Sequence, residues 1–213
     1  MDPDFWHNRW QEGRIGFHEG RVNRLLEAHV GALRLDRGDR VFVPLCGKAV
    51  DIPWLLSQGY RVSGVELSDI AVRELFDQMG VTPQVSEAGP HRRYAAEGLE
   101  IFAGDLFELD AGRIGAVDAV YDRAALVALP EEMRARYAAH LVAMTATAPQ
   151  LVVTFDYDQS EMEGPPFAVT EAELRALYGD RFEITVLEEA EVPGGLKGIG
   201  PARETAVLLY PRG

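Results

Sequence analysis

The hydrophobic and polar positions of this chain follow two periods, and the switches between them predict most of its elements. Continuous apolar runs are typical of strands buried on both faces of a sheet. Such runs occupy residues 41–43, 62–65, 99–103, 116–121, 151–156, 182–187 and 204–210. Apolar residues at helical spacing predict helices at residues 21–34, 49–58, 69–79, 130–146 and 170–178. This order predicts an α/β fold: a mostly parallel sheet with helices on both faces and an antiparallel strand added late.

The remaining segments are punctuated by polar residues. Residues 82–98 are turn-rich and predict a loop with a weak strand at 93–95. Ser68 and Thr170 each precede a predicted helix, so we expect both to act as N-caps. The last two apolar runs, 182–187 and 204–210, predict a closing hairpin of two strands.

Residues 41–69 carry the clearest functional signal. An apolar run ends in a turn of small residues, Cys46-Gly47-Lys48, and a second apolar run ends at Glu66. This is the order of a nucleoside-binding βαβ unit, in which a glycine lets the backbone approach the ligand. An acid about 20 residues further on can accept hydrogen bonds from ribose hydroxyls. Glu66 follows Gly47 by 19 positions.

The turn differs from the three-glycine fingerprint of dinucleotide-binding proteins, which places a helix N-terminus against a pyrophosphate. This turn has Gly47 alone, preceded by Pro44 and Leu45. A ligand with a ribose and without a phosphate fits better, and S-adenosylmethionine is the common ligand of that kind. The simpler alternative is an ordinary α/β turn that binds no ligand.

The ends of the predicted strands suggest a complete site, because ligands bind beyond the carboxyl ends of strands in an open α/β sheet. We expect Leu45-Cys46-Gly47 beside the methionine part of the cofactor and Glu66-Leu67 at the ribose. Asp105-Leu106 would flank the adenine, and Arg123 would lie beside the sulfonium and the methyl acceptor. Asp156-Tyr157-Asp158 is a candidate for the acceptor side.

Several of these residues also have a simpler interpretation. A carboxylate at a strand end, such as Asp105, is often only a turn former. Asp122 and Arg123 could form a mutual surface ion pair, which contributes little stability. Cys46 is interpreted as a small packing residue, since no partner histidine is identifiable. The aromatic N-terminal segment, residues 1–24, is either core or a lid, since a lid over a flat ligand needs rigid aromatic area.

Composition narrows the class of protein. A chain of 213 residues suits a single domain, residues 1–213. The net charge of −13 argues against a nucleic-acid-binding face, which needs clustered cations, and leaves a small molecule as the expected substrate.

One cysteine excludes an internal disulfide, and no residues show metal-ligand spacing, so no metal is expected. Without a recognisable signal peptide or an apolar run of ~20 residues, we expect a cytoplasmic monomer that does not contact membranes.

An ordered set of motifs runs nearly from end to end and resembles the thiopurine S-methyltransferase family, particularly its bacterial members. The motifs are FWHNRW, IGFHEGRVN, FVPLCGKAVD, GVELS, GDLFEL, VYDRAAL and GPPFAVT. The glycine turn alone would be unspecific, whereas this ordered set is highly specific. The resemblance implies a class I, Rossmann-like methyltransferase fold with a seven-stranded sheet that contains one antiparallel strand.

The resemblance also implies an activity: methyl transfer from S-adenosylmethionine to the sulfur of aromatic and heterocyclic thiols, such as thiopurines, with S-adenosylhomocysteine as product. Some bacterial relatives act on selenium or tellurium compounds. The cofactor residues that the family motifs imply are Trp10, Leu45, Glu66, Asp105, Leu106 and Arg123. On the acceptor side they are Phe17, Arg123 and Pro166. Lys197 and Arg203, near the loop 194–200, are further candidates for substrate contacts.

Chemistry assigns one residue a catalytic role. Methylation of sulfur requires a thiolate in line with the sulfonium methyl group at roughly 3–3.5 Å. A cation that lowers the pKa of the acceptor assists, because the thiolate is the nucleophile. We assign this role to Arg123, acting directly or through a water, with Phe17 and the Trp6/Trp10 region closing the pocket. The alternatives are a methyltransferase for a halide or metalloid, a nucleotide-dependent oxidoreductase on the same sheet, and a non-catalytic binding module.

Overall fold

The computed structural model describes residues 3–15 and 19–213, apart from the side chain of Pro3. The strands in these ranges are β1 (Arg40–Val43), β2 (Arg61–Glu66), β3 (Gln84–Ala88), β4 (His91–Ala96), β5 (Leu99–Ala103), β6 (Ala119–Arg123), β7 (Gln150–Tyr157), β8 (Phe182–Glu191) and β9 (Ala202–Pro211). The helices are α1 (Pro3–Gln11), α2 (Arg24–His29), α3 (Asp51–Ser57), α4 (Asp69–Met79), α5 (Ala111–Ile114), α6 (Glu131–Met144) and α7 (Glu171–Tyr178). None of these helices is both long enough and apolar enough to cross a bilayer.

All nine of these strands belong to one sheet, in the order β3-β4-β5-β2-β1-β6-β7-β9-β8. The strands β5, β2, β1, β6 and β7 run parallel, and β9 lies antiparallel between β7 and β8. The predicted α/β class with a mostly parallel sheet is therefore confirmed, as is the closing hairpin. The predicted count of seven strands is wrong by two, because β3 and β4 extend the sheet beyond β5.

The two additional strands form a hairpin within the segment for which a loop with a weak strand at 93–95 was predicted; that weak strand lies in β4, whereas β3 was not predicted. β3 is exposed along most of its length, and in β4 the buried residues are His91 and Tyr94. An edge hairpin of this kind needs no continuous apolar run, since backbone hydrogen bonds to the next strand hold it. Its composition therefore gave only a weak strand signal in β4 and none in β3.

Both faces of the sheet are covered, which explains the continuous apolar runs. In β1, Val41 and Val43 pack into one buried cluster and Phe42 into the other. Successive strand residues point to opposite faces, so each must be apolar when both faces are buried. Helices α6 and α7 contribute to the cluster that contains Phe42, and α2, α3 and α4 contribute to the cluster on the opposite face.

The helix ends agree with part of the prediction. The Thr170 hydroxyl accepts the Glu173 N–H, which confirms that N-cap. Ser68 occupies the N-cap position of α4 without a side-chain cap hydrogen bond, and its own N–H is bound by Glu66. The helix predicted for 21–34 begins later, because Asn23 caps α2 by accepting from the N–H groups of residues 25 and 26.

Candidate active site

The carboxyl ends of β1, β2, β5 and β6 meet at a cavity of about 480 Å³. The chain passes from β1 to β2 and β5 on one side and returns to β6 on the other, so the strand order reverses here. Such a switch point is the ligand-binding position of an open α/β sheet. Nine predicted site residues line the cavity: Trp10, Leu45, Gly47, Glu66, Leu67, Asp105, Leu106, Arg123 and Pro166. The tenth, Phe17, lies outside the described residues.

Glu66 joins the two halves of the βαβ unit. Its Oε2 accepts the N–H of Gly47 at 2.9 Å, and its Oε1 accepts the N–H of Ser68 at 2.8 Å. The side chain is 6% exposed, and this burial raises its pKa, while the hydrogen bonds from the backbone oppose the rise. An ionised carboxylate has about four lone-pair sites, so Glu66 retains capacity to accept hydrogen bonds from a ligand's hydroxyls.

The glycine turn needs a residue without a side chain. Gly47 has φ +52°, and a Cβ at this position would lie 3.2 Å from Cζ2 of Trp10. The Trp10 side chain is 5% exposed and, with Trp6 from the same helix, lines the cavity. The sequence suggested either core or lid for this helix. In the structure α1 lies against the glycine turn at the cavity wall.

Two histidines hold the loop that follows β5, and the sequence analysis identified neither of them. Nε2–H of His91 donates to the carbonyl of Asp105 at 2.8 Å, and Nε2–H of His140 donates to the carbonyl of Leu106 at 2.9 Å. Gly104 is required here, because a Cβ would lie 2.6 Å from the His91 ring at φ +151°. Asp105 also behaves as the predicted turn former, since its carboxylate accepts the N–H of Phe107.

Arg123 ends β6 and reaches the cavity. Its Nη2 lies 2.6 Å from Oε1 of Glu19, and its side chain is 11% exposed. The alternative of a surface ion pair with Asp122 is wrong. Asp122 points to the opposite side of the strand, where it is fully buried and accepts hydrogen bonds from Tyr137 and from the N–H of Leu126.

Burial raises the pKa of Asp122 to about 6, against the opposing effect of its hydrogen bonds. Between about pH 4 and 6 the native state therefore binds more protons than the unfolded chain, in which the pKa is near 3.8. Stability must then fall as pH rises through this window. We expect the free energy of unfolding of the wild type, relative to Asp122→Asn, to decrease by about 2–3 kcal/mol from pH 4 to pH 7.

Urea unfolding of both proteins across this pH range measures the effect. Asn can still accept the Leu126 N–H, and the other buried carboxyls are common to both proteins, so their contributions cancel in the difference. Parallel stability curves for the two proteins would show that Asp122 does not titrate in this window.

A loop after β7 forms part of the cavity wall on the side where the acceptor was predicted. Pro165 and Pro166 line it, and the carbonyl of Pro166 accepts the Tyr157 hydroxyl at 2.7 Å. Lys197 also lines the cavity and donates to the carbonyl of Pro165 at 2.7 Å. Burial lowers the pKa of this lysine, and Arg9 lowers it further.

The remaining acceptor candidates lie elsewhere. Asp156 lines a separate cleft of about 240 Å³, and Asp158 caps a short 3-10 turn by accepting the N–H of Ser160. Arg203 is 60% exposed and faces Glu189. None of these three residues lines the cavity, contrary to the prediction. Successive residues of β7 point to opposite faces of the sheet, so Asp156 lies at the separate cleft while the Tyr157 hydroxyl contacts Pro166.

Cys46 behaves as the packing residue that was predicted. Its side chain is 5% exposed within the core cluster that contains Val41 and Val43. Burial raises the pKa of the thiol well above its ordinary value, and Glu66 adds to the rise. The thiol therefore stays protonated and unreactive near neutral pH.

Solved structures share this fold. The chain superposes on 1,6-didemethyltoxoflavin-N1-methyltransferase from Burkholderia thailandensis, solved with 1,6-didemethyltoxoflavin and S-adenosylhomocysteine, with a TM-score of 0.66 and 20% identity over 98% of this chain and 87% of that one. It also superposes on magnesium protoporphyrin IX methyltransferase from Synechocystis, solved with S-adenosylhomocysteine, with a TM-score of 0.63 and 16% identity over 98% of this chain and 100% of that one. The predicted methyltransferase fold class is confirmed.

Sequence relatives are closer. A thiopurine S-methyltransferase from Xanthobacter autotrophicus is 57% identical over 98% of this chain and 99% of its own length. One from Gluconobacter oxydans is 50% identical over 97% of this chain and 94% of its own length. The family model for thiopurine S-methyltransferase matches residues 1–198. The chain that builds this cavity therefore belongs to the thiopurine S-methyltransferase family.

Proposed function

We propose that this protein is an enzyme that transfers the methyl group of S-adenosylmethionine to the sulfur of aromatic and heterocyclic thiols, thiopurines included, and releases S-adenosylhomocysteine. One observation carries the proposal: in a member of this family, the Glu66–Gly47 pair and Arg123 face a single cavity. Glu66 can accept hydrogen bonds from ribose hydroxyls, and Gly47 lets the backbone approach the ligand closely. Arg123 can bind an anionic acceptor.

The residues present fit the cofactor. Glu66 has lone pairs left for two ribose hydroxyls, and Leu45, Gly47 and Trp10 line the wall that would take the amino-acid part. The loop at Asp105 and Leu106, held by two histidines, would flank the adenine. A volume of about 480 Å³ lies within the range of small-molecule sites. Bound there, S-adenosylmethionine supplies an electrophilic methyl group.

The acceptor would enter between Arg123 and the proline loop. Arg123 would stabilise the thiolate and so favour the ionised form of the acceptor. Pro166, Phe155 and Leu129 offer apolar surface for an aromatic ring, and the helix that carries Trp6 and Trp10 would exclude water as a lid. We extend the lid to residues 1–24 of a single domain, with Phe17 as an acceptor contact. Catalysis then consists mainly of proximity, orientation and one cation.

The function is tested with the purified protein, S-adenosylmethionine and a panel of aromatic thiols, thiopurines and aryl selenols, with mass spectrometry of both products. We expect S-methylated product and S-adenosylhomocysteine in equal amounts. Thermal shift with S-adenosylmethionine and with NAD is the control for an oxidoreductase. Stabilisation by NAD alone, or no methylation of any acceptor, would contradict the proposal.

We further propose that the enzyme acts as a cytoplasmic monomer on small molecules rather than on nucleic acid. Its net charge of −13 disfavours contact with a phosphate backbone. A chain with one buried cysteine forms no internal disulfide, which suits a reducing compartment. Light scattering should give the mass of one 23.5 kDa chain, and twice that mass would contradict the monomer.

A further inference from the structure

The ion pair between Glu19 and Arg123 lies inside the cavity, and neither the cofactor nor the acceptor assignments use Glu19. Nη2 of Arg123 and Oε1 of Glu19 are 2.6 Å apart, and both residues line the cavity wall. Arg123 is 11% exposed, whereas Glu19 is 40% exposed. The carboxylate therefore covers the arginine from the solvent side, where an acceptor would approach.

The chain is anchored shortly after Glu19, at Asn23. Four residues on, the N–H of Asn23 donates to Asp51 at 2.8 Å, and its side-chain amide donates to Glu204 at 3.1 Å. The Asn23 side-chain oxygen also caps α2. These contacts tie Asn23 to α3 and β9, four residues after Glu19.

Arg123 faces a surplus of negative charge. Burial raises the pKa of Asp51 and of Glu204, Arg123 opposes both rises, and Glu19 adds to both. The guanidinium thus interacts with three carboxylates. An incoming thiolate meets an arginine whose charge is already balanced, and it must displace Glu19, which forms the ion pair with the guanidinium at the cavity wall.

We propose that Glu19 is a specificity-determining residue for the methyl acceptor: its carboxylate stays paired with Arg123 until an anionic acceptor displaces the carboxylate. This rests on the proposed function and extends it. An acceptor that carries a full negative charge can exchange places with the carboxylate, since a guanidinium binds either anion by charge-assisted hydrogen bonds. A neutral acceptor cannot compete for the arginine and leaves the pair intact. The cost of displacement makes binding of weak anions less favourable.

The test compares one thiolate acceptor with its own S-methylated product, which has nearly the same shape and no charge. Steady-state kinetics give KM for an aromatic thiol that is ionised at the assay pH, and inhibition by the thioether product gives Ki. In Glu19→Gln we expect KM to fall about fivefold, as for loss of a partly exposed ion pair, with Ki unchanged. In the Arg123→Ala background, Glu19→Gln should lower KM by less than it does with Arg123 present, because no guanidinium is left for the acceptor to claim from the carboxylate.

Glu27→Gln is the matched control, because it makes the same charge change on the exposed face of α2, away from the cavity. It should change neither constant. Affinity for S-adenosylhomocysteine, measured by calorimetry, should be the same in the wild type, Glu19→Gln and Glu27→Gln. An unchanged KM in Glu19→Gln, or equal changes in KM and Ki, would overturn the role of Glu19. If the wild type methylates no thiol, the proposed function fails first, and this inference with it.

Discussion

Replacing Arg123 with alanine should lower kcat/KM for aromatic thiols about 100-fold, as expected when one partner of a desolvated charge pair is removed. The structure gives the reason. The guanidinium is the partner of Glu19 in the cavity and opposes the charges of Asp51 and Glu204. Without it, the Glu19 carboxylate at the cavity wall has no cationic partner and the acceptor has no guanidinium to bind, so the site disfavours the thiolate that it should bind. Steady-state kinetics with a series of thiols measure the loss.

The way in which the loss of activity varies with the pKa of the thiol distinguishes thiolate stabilisation by Arg123 from a general disruption of the site. A cation favours the ionised form of the acceptor, so thiols of high pKa should lose more activity than acidic ones. Arg123→Lys keeps the charge without the fork-shaped donor set, and it should recover part of the lost activity on every thiol. Equal losses across the series in Arg123→Ala would contradict the assignment of Arg123 to thiolate stabilisation.

Replacing Glu66 with alanine should weaken the binding of S-adenosylhomocysteine by at least about 100-fold. The substitution removes the acceptor of two buried N–H groups, at Gly47 and Ser68, and an unsatisfied buried donor costs about 1–3 kcal/mol. It also removes the proposed partner of the ribose. Isothermal titration calorimetry measures the affinity, and urea unfolding should show a parallel loss of stability.

A cofactor analogue distinguishes direct contact from structural support. If Glu66 binds the ribose, the wild type should bind an S-adenosylhomocysteine analogue that lacks both ribose hydroxyls more weakly than the natural product. Glu66→Ala should no longer distinguish the two ligands, and Glu66→Gln, with one acceptor oxygen, should lie between. If Glu66→Ala still prefers the natural product as strongly as the wild type does, the ribose assignment is wrong.

The part of the site that lies close to the strand ends was predictable from the sequence. The spacing of Gly47 and Glu66 implied that turn and carboxylate meet, and they do so through a 2.9 Å hydrogen bond. Asp105 and Arg123 follow or end buried strands, so the parallel sheet brings them to the same edge. These predictions were correct because the carboxyl ends of parallel strands lie at the same edge of the sheet, so residues at those ends come together.

The contacts made by distant segments were not predictable. His91 lies on a polar edge hairpin and His140 on α6, and no sequence spacing indicates that each holds a carbonyl of the same loop. Glu19 reaches Arg123 across 104 positions, since 123 − 19 = 104. Asp156 was expected at the acceptor side, but it faces a different cleft.

By itself, the sequence determined the α/β class, the two-sided sheet, the glycine turn with its acid, and membership of the family, because periodicity, local turn geometry and ordered motifs are properties of neighbouring residues. Only the tertiary structure decided the strand count, the partners of Asp122 and Arg123, and the two histidines that hold the loop after β5. Those features depend on which surfaces pack together, and packing between segments far apart in the chain follows from the folded arrangement as a whole.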